Sequence, residues 1–83
     1  MDFFFSSKAL KDIKKLTPNM QKRLIKKLDY FCRQKDPLKF SEVLIDNNIG
    51  SYRYRIGDYR VVFDVEKNLL IILRIGHRKE IYT

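Results

Sequence analysis

The apolar positions change period part-way along the chain. After a short aromatic stretch, Asp2-Phe3-Phe4-Phe5, which reads as a strand, Ser6 or Ser7 offers a helix cap. Ala9, Leu10, Ile13 and Leu16 then recur at helical spacing among Lys8, Lys11, Asp12, Lys14 and Lys15. Thr17-Pro18 supplies a second cap with proline at the first helical position. A new helix therefore starts there and carries the stripe Met20, Leu24, Leu28, Phe31 and Cys32 to about Gln34, ahead of Asp36-Pro37. Leu38 to Gly50 mixes apolar residues with the turn-like Asp46-Asn47-Asn48 and reads as a connector holding a short strand or turn. Beyond Gly50 the period becomes two. Tyr52, Tyr54 and Ile56 alternate with Arg53 and Arg55, Gly57-Asp58 interrupts, and Tyr59, Val61, Phe63 and Val65 alternate with Arg60, Val62 and Asp64, the pattern of a β-hairpin. Glu66-Lys67-Asn68 makes a second turn, Leu69 to Ile75 a third strand, and Gly76 to Tyr82 a tail. The expectation is one α+β domain over residues 1–83, with two N-terminal antiparallel helices packed on one face of a small twisted antiparallel sheet in the order β-α-α-β-β-β.

With Gly57-Asp58 as a two-residue turn, Ile56 pairs with Tyr59, Arg55 with Arg60, Tyr54 with Val61 and Arg53 with Val62. Two arginines then face each other, which is destabilising unless they splay apart or hold an anion between them. A three-residue loop at 66–68 extends the row to Arg74, while the tyrosines, Ile56, Val61, Phe63 and Val65 line the opposite face and cover the helices. The bland reading of the row is a solvated sheet face. Against it, Arg is concentrated at adjoining positions with little Thr, Lys or Glu between.

Charge makes the row more pointed. Eighteen Lys and Arg against ten Asp and Glu give a net charge of +8 in 83 residues, so a polyanion leads the possible partners, ahead of an acidic protein or a membrane surface. Nine of the eleven Lys fall between Lys8 and Lys39, whereas five of the seven Arg fall between Arg53 and Arg78. Arginine's planar fork suits phosphate, so the second half is where chemistry is expected. No apolar run approaches the about 20 residues of a membrane span, and no signal-peptide pattern opens the chain. A cytoplasmic protein with no membrane partner is expected. A single Cys32 and a single His77 cannot build a Cys/His zinc site, and Cys32, among apolar neighbours, reads as a small core residue. No metal or cofactor is expected.

The sequence offers no second histidine, no close carboxylate pair and no glycine-rich phosphate loop. What remains beside the arginines is His77, Arg78, Glu80 and Tyr82. An RNA 2′-hydroxyl can attack its own phosphate if one group takes its proton, another stabilises the phosphoryl charge and a third protonates the leaving 5′-oxygen. Arginines suit the middle task. Taken alone, His77 is a structural donor or a proton carrier, and Tyr82 an aromatic docking the tail or a base whose phenolate the cations favour.

The element order, Tyr-Arg-Tyr-Arg-Ile-Gly-Asp-Tyr-Arg-Val-Val-Phe at 52–63 and Gly-His-Arg-Lys-Glu-Ile-Tyr at 76–82 together resemble the RelE/ParE superfamily of toxin–antitoxin toxins over nearly the whole chain. In the RelE branch the resemblance implies a ribosome-dependent endoribonuclease that cuts mRNA in the A site by 2′-hydroxyl attack. It implies that Arg53 and Arg55 orient and activate the attacking group, that Arg60 contacts the phosphate, that Arg78 stabilises the transition state or leaving group, and that Tyr82 is the general base. Arg53 and Arg55 stand where the best-known RelE carries lysines. Arginine stays protonated, which shifts weight to His77, a proton carrier in related branches. RNA binding falls to Arg53, Arg55, Arg60, Arg74 and Lys79. The implied partners are a cognate antitoxin, RelB-like or another small one, the ribosome and mRNA, with operator DNA reached through the antitoxin. The ParE branch, a DNA gyrase inhibitor of the same fold, and a non-catalytic RNA- or protein-binding module are the alternatives.

Overall fold

Along β1 (Asp2–Phe5) the aromatic triplet alternates as a strand requires, with Phe3 and Phe5 packed on the core and Phe4 exposed. The computed structural model describes residues 1–45 and 48–81, so Asp46, Asn47, Tyr82 and Thr83 lie outside the described residues. Ser6 caps α1 (Ser7–Lys14): its Oγ accepts the Ala9 N–H at 3.1 Å and donates to the Leu73 carbonyl at 3.2 Å, tying the cap to the sheet. Thr17 caps α2 (Pro18–Arg33) through the Met20 N–H at 3.2 Å, with Pro18 at the first helical position. The stripe Leu24, Leu28, Phe31 and Cys32 is buried. No helix among the described residues is long and apolar enough to cross a membrane.

The connector holds a 3₁₀ turn at Pro37–Phe40 and a two-residue strand, β2 (Glu42–Val43), followed by β3 (Tyr52–Ile56), β4 (Tyr59–Glu66) and β5 (Leu69–His77). The sheet order is β1-β5-β4-β3-β2. The expected antiparallel sheet is therefore mixed at one edge, because β1 pairs with β5 in parallel. The two helices carry the chain from β1 across one face of the sheet towards its opposite edge, and the hairpins β3–β4 and β4–β5 bring it back, so that the last strand lies beside the first in parallel. In β4 consecutive residues Val61, Val62 and Phe63 are all buried, because the helices cover one face of the strand and the connector at Gly50 the other, and its apolar residues therefore do not alternate cleanly.

The β3–β4 register agrees with the sequence reading at all four expected pairs, Arg55 opposite Arg60 included. Gly57 takes φ +60°, the first central position of a turn whose twist matches the strands. The second hairpin differs. Glu66 pairs with Leu69 around a two-residue turn in which Lys67 adopts φ 57°, and Leu73 is an extra residue bulged between the pairs Val62–Arg74 and Phe63–Ile72. The two one-residue offsets add. Arg74 thus faces Val62, Arg60 faces Gly76, and the expected row Arg55-Arg60-Arg74 does not form.

The core face is as patterned: Tyr54, Ile56, Val61 and Phe63 meet the helix stripes. The Tyr54 ring stacks between Phe31 at 4.3 Å and Phe63 at 4.5 Å, and its hydroxyl donates to the Pro37 carbonyl at 2.9 Å, anchoring the connector. The other face is not open. A Cβ at Gly50 would stand 2.8 Å from Val62 Cγ1 and 2.9 Å from Leu73 Cδ1, so the connector runs directly over it. Val62 is fully buried beneath it, so this face is covered at Val62 and open at Arg55, whose side chain is 58% exposed.

Candidate functional site

The cross-strand pair Arg55–Arg60 resolves its repulsion by splaying. Arg60 curls onto the hairpin tip, where Nη1 donates to the Gly57 carbonyl at 3.0 Å and the Tyr59 carbonyl at 2.9 Å; the residue is only 5% exposed. This corrects the picture of Arg60 as a side chain standing in solvent. Arg55 turns the other way, its Nε 3.6 Å from Glu42 Oε1, while Arg53 Nη2 reaches Glu42 Oε2 at 3.4 Å. One carboxylate on the short strand β2 thereby serves both guanidinium groups of β3. Glu42 lies in the connector of mixed pattern, and only the pairing of Glu42 with Arg53 across β2 and β3 gives it this position.

The tail closes on the same tip. The Arg78 N–H donates to the Asp58 carbonyl at 2.8 Å, and its guanidinium Nε stands 3.8 Å from Asp58 Oδ1. Residues 77–81 then make a helical turn, with the N–H groups of Glu80 and Ile81 donating to the His77 carbonyl; Ile81 is buried. Ile81 packs over Gly76, the residue opposite Arg60, at a distance that leaves room for no more than a methyl group there. His77 pairs with Tyr59, edge to face at 5.7 Å, and its Nδ1 accepts the Lys79 N–H at 3.2 Å. The neutral ring assigned from that bond carries its proton on Nε2. His77 lines a cleft of about 230 Å³ with Asp12, Lys15, Tyr59, Arg74 and Glu80. Lys79 is exposed.

Arg74 belongs to another arrangement. Asp12 Oδ2, on α1, accepts from Arg74 Nε at 2.9 Å and from the Ile75 N–H at 2.9 Å, beyond the point where β1 stops pairing with β5. Asp12 was legible only as the acid on a lysine-rich helix. Cys32 is buried in the core, and burial pushes its thiol above the usual range, with the N-terminal ammonium opposing. Burial also raises the Tyr54 hydroxyl, with smaller contributions from Cys32 and Asp36. Among the described residues no three His, Cys, Asp or Glu side chains gather as a metal would require.

A family model described as the ParE toxin of type II toxin–antitoxin systems matches residues 3–82. The chain belongs to the RelE/ParE superfamily of type II toxins. The toxin is 32% identical over 85 residues to Toxin RelE3 of Methanocaldococcus jannaschii, covering 99% of this chain and 96% of that one. It is 29% identical over 80 residues to Toxin RelG of Mycobacterium tuberculosis, covering 94% and 91%. Two solved structures share the fold. One is the RelBE2 toxin–antitoxin complex of Mycobacterium tuberculosis, with TM-score 0.75, 24% identity and 93% and 96% coverage. The other is the RelB–RelE complex of Methanococcus jannaschii, with TM-score 0.66, 29% identity and 92% and 91% coverage.

Proposed function

We propose that this toxin is a ribosome-dependent endoribonuclease that cleaves mRNA in the A site by 2′-hydroxyl attack, without a metal ion. The observation that carries the reading is that Arg60 and Arg78 both engage the Gly57-Asp58 hairpin tip, through the Gly57 carbonyl and Asp58, so a phosphodiester gaining charge there would meet cations from β4 and from the tail. Relatives named RelE support it. In the step proposed, the O2′–P bond forms, the P–O5′ bond breaks, and the products carry a 2′,3′-cyclic phosphate and a 5′-hydroxyl. Arg60 stabilises the phosphoryl oxygens, its orientation fixed by the tip carbonyls. Arg78 adds charge at the leaving side, and His77 gives a proton to the 5′-oxygen from its imidazolium form, whose Nδ1 no longer accepts the Lys79 N–H, and so returns to the neutral ring. Tyr82 takes the 2′-hydroxyl proton in the reading implied by the superfamily. Glu42 is a second candidate, because it is the carboxylate already standing between Arg53 and Arg55. Arg53, Arg55 and Lys79 complete the RNA contacts, while Arg74 is assigned to holding α1 on β5. The proposed partner in the resting cell is a RelB-like antitoxin, with operator DNA bound through it.

A gyrase inhibitor is the second reading, favoured by the ParE description of the matching family. Incubating the toxin with programmed ribosomes, and separately with gyrase and plasmid DNA, separates the two. Ribosomal cleavage yielding 5′-hydroxyl ends is expected. Gyrase poisoning with no cleavage would transfer the assignment to the ParE branch, and neither activity would leave a binding module.

A further inference from the structure

Six of the seven arginines are engaged. Arg33 pairs with Asp29, Arg53 and Arg55 with Glu42, Arg74 with Asp12 and Arg78 with Asp58, and Arg60 holds backbone carbonyls. Arg23 has no carboxylate or hydrogen-bond acceptor among the described residues, yet it is well placed. Its Nη2 lies 3.2 Å, and its Cζ and Nη1 3.6 Å, from where a Cβ on Gly57 would be, so the guanidinium lies nearly flat on the turn residue. Arg60 holds the carbonyl of that same glycine. Two guanidinium groups from different elements thus converge on Gly57, an arrangement that favours an anion between or beside them.

Arg23 also begins a track. Arg23, Lys26, Lys27 and Tyr30 fall at i, i+3, i+4 and i+7 on α2, on one face, and line a groove with no acid in it. Tyr30 is half-exposed, with its ring set edge-on to Phe31 at 6.0 Å and to Phe40 at 6.2 Å, and Lys27 Nζ stands 5.3 Å from its centroid. The track is about 10 Å long, enough for a base and the phosphates beside it. We propose that this α2 groove is a single-stranded RNA-binding site, with Arg23 on a phosphate and Tyr30 stacking an unpaired base, continuing the path from the hairpin tip. An acidic amphipathic peptide fits less well. Helix-in-groove docking needs apolar anchors, and here three cations line the groove beside one ring. The proposal rests on RNA being the target, as in the preceding reading, and does not depend on cleavage.

The test is fluorescence anisotropy of a labelled oligouridine with the full chain, run alongside cleavage on programmed ribosomes. Arg23→Gln and Tyr30→Leu should each weaken RNA binding at least about fivefold, with Tyr30→Phe near wild type. Arg23→Gln should also reduce the salt slope by about 0.7. Lys14→Gln, on α1, should change affinity less than twofold, roughly the effect of one surface charge. Wild-type affinity in Arg23→Gln and Tyr30→Leu overturns the proposal. So does absence of oligouridine binding by the wild type, or an acidic peptide whose binding alone responds to these substitutions. Arg23-dependent RNA binding by a wild type that cleaves nothing supports the groove and sinks only the nuclease reading. Cleavage at wild-type rate with RNA binding unchanged in both variants sinks only the groove.

Discussion

Asp12→Ala should cost far more than its helical address suggests. The carboxylate sits in the last turn of α1, the end where the helix dipole disfavours negative charge, so local propensity does not account for it. Its Oδ2 takes two donors at 2.9 Å, the Arg74 Nε and the Ile75 N–H, and its side chain is 11% exposed. A hydrogen bond to a charged group contributes about 1.5–3 kcal/mol, and a buried N–H left without an acceptor costs about 1–3 kcal/mol. Because one oxygen serves both, the terms overlap, and the expected loss is about 2–4 kcal/mol. For a chain of this length total stability is on the order of 4–12 kcal/mol, so the variant should lose a large fraction of it. Arg74→Met should cost less, about 1–2 kcal/mol, since Asp12 still accepts from Ile75. Urea unfolding of both singles and the double gives the coupling directly. An Asp12→Ala cost under about 0.5 kcal/mol, or single costs that add without coupling, would refute the assignment of Arg74 to the α1–β5 joint and return it to the RNA-binding surface.

Three further outcomes are expected. Glu42→Gln keeps the shape of the clamp but releases Arg53 and Arg55: if Glu42 takes the 2′-hydroxyl proton, single-turnover cleavage on ribosomes should fall at least about 10²-fold, whereas unchanged cleavage leaves that task to Tyr82. Arg60→Lys should fold, because an ammonium can still reach a tip carbonyl, but should lose the fork and at least about 10²-fold in cleavage; Arg60→Glu should fail to fold stably by circular dichroism, since it buries a carboxylate against two carbonyls. Alkaline stability should fall because burial raises both the Tyr54 hydroxyl and the Cys32 thiol: above about pH 9–10 the unfolded chain sheds these protons while the folded one retains them. Stability is then lost by up to about 1.4 kcal/mol per pH unit per group, and Tyr54→Phe should show a shallower alkaline slope in denaturation against pH.

Local pattern carried the helices, their caps and the first hairpin, because each is decided by residues within a few positions of one another. Thr17-Pro18 and Gly57-Asp58 specify their own geometry whatever surrounds them. The second hairpin is different. β5 is apolar on both faces, so nothing in its pattern penalises a slip, and a non-glycine residue at positive φ, Lys67, allowed a turn one residue shorter than its composition suggested. The bulge at Leu73 then restored the face while displacing Arg74 by two positions relative to the expected pairing. At the site, the arginines were legible by type and spacing, but their partners were not: Glu42, Asp12 and Arg23 arrive from other elements, and no local periodicity links them to residues 53–78.

Those partners change what the arginines can do. An arginine row open to water would bind any polyanion at its surface with little discrimination. Here Glu42 and Asp58 already supply negative charge to Arg53, Arg55 and Arg78, so an incoming phosphate must exchange with a carboxylate and gains only the difference. Arg60 is preoriented and nearly buried, which limits it to an anion that reaches the tip. Arg23, beside the tip, has no acid paired with it among the described residues, so a phosphate there displaces none of them. Initial attraction of RNA is therefore expected at Arg23, with exchange at Glu42 and Asp58 following once the backbone is aligned, so that a weak general attraction becomes a selective fit at the hairpin.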